Sequence, residues 1–214
     1  MQIPKLSVLA LAVLPALAVV ALVALARAVG DVPVHYLTRD IAALAGLHPF
    51  FGVMSNLGLM LWAASAAVSL LTVLVLTKSG ADGRAFFLAS GALSLWLLLD
   101  DAFLFHEDLA PKHLGVSTEI VLAGLGVAVI AWLGAFRHAI LAAGPFFLVL
   151  SLGMFALSLG VDFASDFFPE DEAETSWRIF YEDAPKWVGI VFWLAFHVTA
   201  SVNTLTGHLK IQSR

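Results

Sequence analysis

An all-α membrane bundle of about six spans is the fold class the sequence predicts, and three observations predict it. The 214-residue chain is 61% hydrophobic and only 13% charged, with a mean hydropathy of +0.95, far from the balance of a soluble globular domain. Its apolar residues fall in runs that at about 1.5 Å per residue can cross a hydrocarbon core of roughly 30 Å. Between the runs lie short polar segments whose acids gather on alternate connections. With no cysteine and a net charge of -5, the chain has no disulfide, Fe–S, Cys-ligated zinc or thiolate chemistry and no basic surface for nucleic acid. Its length allows a single transmembrane domain, 1–214.

The first span is expected over 6–29, after Lys5. Its flanks also resemble a signal peptide, with Ala24-Leu25-Ala26 as a cleavage site that would remove about residues 1–26, but the apolar stretch exceeds the ~7–15 residues of a signal core and favours a retained span. Pro33, a helix-start signal at Thr38 and the apolar Ile41, Leu44 and Leu47 predict an interfacial helix over 38–47. A second span, 52–77, carries Ser55 and Asn56 near its start. The turn 78–84, KSGADGR, feeds span three, 85–105. Residues 106–118, with Pro111 and Gly115, read as a connection, and Ser117-Thr118-Glu119 as the cap of span four, 119–136. Gly144-Pro145 leads into span five, 145–164. Pro185 suits the first turn of span six, 184–206.

Six spans place both termini on one side. All acids but Asp82 then fall on the other side. Lys5, Lys78, Arg84, Arg137, Lys210 and Arg214 lie with the termini, against Arg27, Arg39, Lys112, Arg178 and Lys186 at the acidic end, where carboxylates are available as partners. This distribution is expected to put the termini in the cytoplasm, with the acidic face toward the periplasm or extracellular space.

Residues 95–109, LWLLLDDAFLFHEDL, are where an apolar span meets a polar site. Ionisable groups at a bilayer boundary are costly unless paired, metal-bound or wetted. On a continuous helix Asp100 and Glu107 would share a face two turns apart, with His106 about 100° round from Glu107. Span five adds Asp162 and Asp166 at i and i+4. Span six adds Glu182, Asp183 and Lys186, and carries His197 roughly 20 Å deeper than Asp183 along an ideal helix, at a depth where Asp100 is a possible partner. Carboxylates and imidazoles from several helices are what a divalent metal site in a bundle needs. Asp100, His106, Glu107, Asp162 and His197 are the expected ligands, with zinc, iron, manganese and calcium all open, and Asp101 or Asp166 the expected general base. The adjacent Asp100 and Asp101 oppose the helix dipole and need compensation from a metal, Lys112 or Lys186.

Simpler roles account for much else. Glu119, Glu182 and Asp183 suit helix starts electrostatically, Glu170 to Glu174 read as a solvated loop, and Glu182–Lys186 reads equally well as a local ion pair. His35, His48, His113, His138 and His208 sit near membrane boundaries. The six tryptophans are explained by anchoring and packing, and Gly124 and Gly126 by close helix contact.

The stretches LTRDIAALAG…SNLGLMLWAASAAVSLL, LDDAFLFHEDLAPKHLGVSTE and EDAPKWVGIVFW resemble a family of small uncharacterised bacterial polytopic membrane proteins marked by an LDDxFxxHE pattern. Phe105-His106 and the histidine in the last span are remotely similar to alkaline ceramidase-like membrane hydrolases, which implies a metal-dependent hydrolase. Those enzymes carry a paired HxxxH in the final helix, and here Ser201 stands four residues after His197.

The expected function is therefore a membrane metal-binding protein, a metal-dependent hydrolase acting on a lipid-like substrate near the extracytoplasmic face. The alternatives are an ion-binding or transport protein, a subunit of a larger membrane complex, or a haem protein using His106 and His197.

Overall fold

The computed structural model describes residues 5–80, 82–165 and 172–212, with side chains omitted at 5–12, 15, 165, 172–178 and 208–212. It divides into two compact units, Met1–Val53 and Met54–Arg214.

The first unit holds α1 (Lys5–Gly30), α2 (Val34–Thr38) and α3 (Ile41–Ala45). α1 is 26 residues long and carries no charged residue between Lys5 and Arg27. The interfacial helix expected over 38–47 is two short helices: Thr38 ends α2 instead of starting a helix, and Asp40 caps α3 by accepting a hydrogen bond from Ala43 N at 3.1 Å. A short carboxylate side chain at the cap satisfies an amide that has no partner inside the helix. Gly46, at φ 66°, closes α3 in the left-handed conformation.

The second unit contains α4 (Val53–Ser79), α5 (Arg84–Ala102), a π-helix (Phe105–Leu114), α6 (Thr118–Ala135), α7 (Arg137–Ala143), α8 (Phe146–Ser165) and α9 (Glu172–Gln212). No strand occurs among the described residues. Among the described residues five helices are long and apolar enough to cross a membrane: Val53–Ser79, Arg84–Ala102, Thr118–Ala135, Phe146–Ala164 and Ile179–Gly207. The chain is thus an all-α bundle compatible with an integral membrane protein. Pro185 lies well inside α9 instead of opening it; proline is compatible with a helix interior where neighbouring groups compensate the one lost hydrogen bond.

An aromatic core joins the helices. Trp62 of α4 stacks on Phe155 of α8 and meets Trp193 of α9 edge-on, while Trp132 of α6 stacks on Phe86 of α5 and contacts Trp193. Burying the indole N–H requires an acceptor, and α5 supplies it repeatedly. Trp132 donates to Ser90 Oγ at 3.1 Å, Trp193 to Ser94 Oγ at 2.9 Å, and Trp62 to Asp101 Oδ2 at 2.8 Å. At the α8/α9 crossing Ser151 Oγ donates to Gly189 O at 2.8 Å, and a Cβ on Gly189 would lie 2.6 Å from Phe155 Cε1. Glycine is required there by contact, as small residues are at other close membrane-helix crossings.

Candidate functional site

The site begins where α5 stops. Phe103 N closes the last turn on Leu99 O, and Leu104 then takes a left-handed conformation, φ 49° and ψ 44°. A Cβ in that conformation costs roughly 1–2 kcal/mol, so surrounding interactions must hold it. The reversal folds the π-helix back over the end of α5. In π-register the amide of residue 111 would bond to the carbonyl of residue 106; Pro111 has no N–H, and Thr118 Oγ1 donates to His106 O at 2.9 Å in its place. Gly115, at φ 66°, ends the segment.

Asp100, 4% exposed, accepts from His106 twice: the backbone N–H at 3.2 Å and the ring Nδ1 at 2.6 Å. The other ring nitrogen faces Glu107 Oε1 at 3.4 Å. Held between two carboxylates, the imidazole has its pKa pushed up to about 9, first by the hydrogen bond to Asp100 and then by Glu107, against an opposing desolvation cost. Its hydrogen bond with His106 holds the Glu107 carboxyl below its usual range. His106 is therefore an imidazolium at neutral pH.

Asp101 faces elsewhere. Its Oδ2 takes the Trp62 indole N–H, and its Oδ1 meets Lys186 Nζ at 2.9 Å. Of the compensating groups expected for the aspartate pair, Lys186 serves Asp101, while Lys112 pairs with Asp108.

Beside this ion pair opens a cavity of about 230 Å³. Asp101, Glu107, Asp183, Lys186 and Trp187 supply its polar lining, and Met54, Leu104 and Ile190 most of its apolar lining. Ser55 and Gly58 of α4 complete it.

The expected ligands do not assemble as one set. Asp100 and Glu107 do not line a common helix face, because α5 ends at Ala102 and Leu104 reverses the chain; Asp100 meets His106 instead. Asp162 lies exposed near the end of α8. Asp166 is outside the described residues. His197 is fully buried, its Nδ1 2.8 Å from Trp193 O and its ring packed on Trp132, Trp193 and Phe196, so the deep partner anticipated in Asp100 is replaced by α9's own backbone and an aromatic cage. Among the described residues no group of three or more His, Cys, Asp or Glu side chains is placed to hold a metal ion. Sequence reasoning missed Trp62, Trp187 and Gly58 as members of the site; their one signal was polar-capable or minimal residues inside otherwise apolar spans.

Residues 10–200 match the family described as a domain of unknown function, DUF8692. The chain belongs to that family. No curated protein and no solved structure matches it. What this family member's site can do rests on its own geometry. One imidazolium is clamped by two carboxylates, and beside it a cavity offers carboxylates, an ammonium and an indole N–H.

Proposed function

We propose that the protein is an integral membrane protein that binds the polar end of a lipid-like molecule in the cavity between α4, α5 and α9, with its termini in the cytoplasm of a bacterium and this cavity at the extracytoplasmic face. The observation that carries the reading is the mixed lining. The Lys186–Asp101 ion pair, Glu107 and Asp183 share one cavity with Met54, Leu104 and Ile190 at the ends of helices apolar enough to cross a bilayer. A concave site with apolar walls and a few convergent polar groups is the usual form of a small-ligand site. An amphiphile can place its headgroup on the polar groups while its chains remain in the membrane.

Native mass spectrometry of the detergent-purified chain tests this. Ser55 is exposed and lines the cavity, so Ser55→Trp should occlude it without entering the core. Bound lipid that falls at least fivefold in Ser55→Trp supports the reading, and equal retention refutes it. The absence of cysteine makes single-cysteine labelling a direct test of sidedness: a cysteine at Ser55 should react with an impermeant reagent added from outside.

A second reading, the metal-dependent hydrolase, is supported by Asp100 and Glu107 both lying against His106, three groups that would have to rearrange to serve as ligands. A divalent metal there would supply an activated water for hydrolysis. To ligate, the His106 ring must first release a proton and turn from Asp100 or Glu107, and Asp101 must leave Trp62 or Lys186 to act as base. Elemental analysis of protein prepared without chelators decides it: near-stoichiometric metal lost in His106→Ala supports this reading, and no metal after equilibration with zinc, iron or manganese overturns it.

A further inference from the structure

Three of the tryptophans in the bundle donate to α5, but Trp187 does not. Its Nε1 is buried and has no hydrogen-bond partner among the described residues. The atom bonded to that nitrogen, Cδ1, lies 3.9 Å from where a Cβ on Gly58 would stand, and both residues line the cavity. Trp187 and Gly58 therefore stand side by side on the cavity wall. A buried donor without an acceptor is unfavourable, so a small shift of the ring that brings this N–H to an acceptor atom of a bound molecule would be favoured. Beside it, Lys186 uses one of its three N–H bonds on Asp101, leaving donor capacity that suits an anionic oxygen.

The cavity's own charge argues against a simple anion: three carboxylates, Asp101, Glu107 and Asp183, line it with one ammonium, and even with the His106 imidazolium against Glu107 one carboxylate is in excess. Asp183 and Trp187 are i and i+4 on α9, which puts a carboxylate and an N–H donor about 5–6 Å apart at Cβ on one face. A ligand with a cation and an anionic acceptor separated by a short linker matches both.

Resting on the cavity reading above, we propose that the bound molecule is an ethanolamine phospholipid: its primary ammonium meets Glu107 and Asp183, and its phosphodiester oxygens accept from Trp187 Nε1 and Lys186 Nζ. A choline headgroup offers the same charges without N–H bonds for the carboxylates, and it is recognised by aromatic cages, whereas this cavity has one indole. A glycerol headgroup has no cation to offset the carboxylates.

The test is competitive lipid binding to the full chain in detergent micelles, with equal amounts of dioleoyl phosphatidylethanolamine, phosphatidylcholine and phosphatidylglycerol, read as adduct occupancy by native mass spectrometry. Phosphatidylethanolamine should exceed each of the others at least fivefold. Trp187→Phe, which keeps the ring and removes the N–H, should lower its occupancy roughly 5- to 10-fold, the effect of one hydrogen bond, with a thermal melt no lower than that of the wild type. Equal occupancy of the three lipids, all lost in Ser55→Trp, would overturn the headgroup assignment while leaving the cavity reading intact. Adducts that persist in Ser55→Trp would overturn both. An undiminished phosphatidylethanolamine preference in Trp187→Phe would overturn the assignment to Trp187.

Discussion

Replacing Asp100 by Asn tests the clamp on His106 most directly, and its effect has a sign in pH. The folded protein raises the His106 pKa from 6.5 to about 9, which by proton linkage is a stabilisation of about 3 kcal/mol while the ring is charged in both folded and unfolded chains. It is fully present below the unfolded value and is lost as pH rises through the folded value, so the window runs from about 6.5 to about 9. The Asp100 side chain is 4% exposed and that of His106 13%, so solvent screens their bond little. Glu107, half-exposed at 3.4 Å, contributes the smaller share. Asp100→Asn should therefore cost about 2 kcal/mol at pH 6 and less than about 1 kcal/mol at pH 9.5. Reversible unfolding in mixed detergent–SDS micelles, followed by the fluorescence of the buried tryptophans, measures the gap between wild type and variant at each pH, and groups that titrate alike in both cancel. A gap of equal size at pH 6 and pH 9.5 would refute the clamp.

Thr118→Val should strand the His106 carbonyl that Pro111 cannot serve, lowering stability by about 1–2 kcal/mol in the same assay. Lys186→Met leaves the Asp101 carboxylate, 15% exposed, with Trp62 alone among the partners seen here; because Lys186 is itself about one-third exposed, the cost should be about 1–2 kcal/mol, and adding Asp101→Asn should recover most of it. Gly189→Ala must push a Cβ into Phe155 Cε1 and to 3.2 Å from Ser151 O, an overpacking loss of about 1–3 kcal/mol visible as a lower thermal midpoint. His197→Phe removes one hydrogen bond, to Trp193 O, and also a buried Nε2 that has no partner among the described residues; the opposing effects should leave stability within about 1 kcal/mol of wild type, and a loss above 3 kcal/mol would show that Nε2 has an essential partner.

Much of the bundle was legible because membrane spans are set by length and apolarity alone. The boundaries expected for the spans at 52–77, 119–136 and 145–164 fall within two residues of α4, α6 and α8. Where a boundary depended on local polar chemistry, the pattern misled. Pro185 looked like a helix start and lies inside α9, and Pro111 and Gly115 looked like a loop and belong to a π-helix and its end. At Pro111 the outcome turns on Thr118 taking over the carbonyl that proline cannot serve, which spacing does not encode. The polar centre at Asp100, Asp101, His106 and Glu107 was visible as ionisable groups at the end of an apolar run. Its pairing was not, because Leu104 gives no sequence signal for a left-handed turn: glycine or asparagine usually marks one.

The same reversal explains why the two adjacent aspartates have different neighbours. Along α5, Ser90, Ser94 and Asp101 recur at intervals that keep them on one side of the helix, and each receives an indole N–H from a different partner helix. Asp100 lies about 100° around from Asp101 on an ideal helix, away from the tryptophans, and only the folded-back π-helix brings a cation to it. If α5 continued straight through Leu104, His106 would move along the axis away from Asp100, leaving that buried carboxylate without its imidazolium. The strain at Leu104 is thus balanced by the Asp100–His106 bonds, and the same turn brings Leu104 and Glu107 to the cavity wall. Polar satisfaction inside the bundle and the construction of the cavity are consequences of one backbone reversal, so substitutions that relax Leu104 should disturb the proposed lipid binding and the His106 titration together.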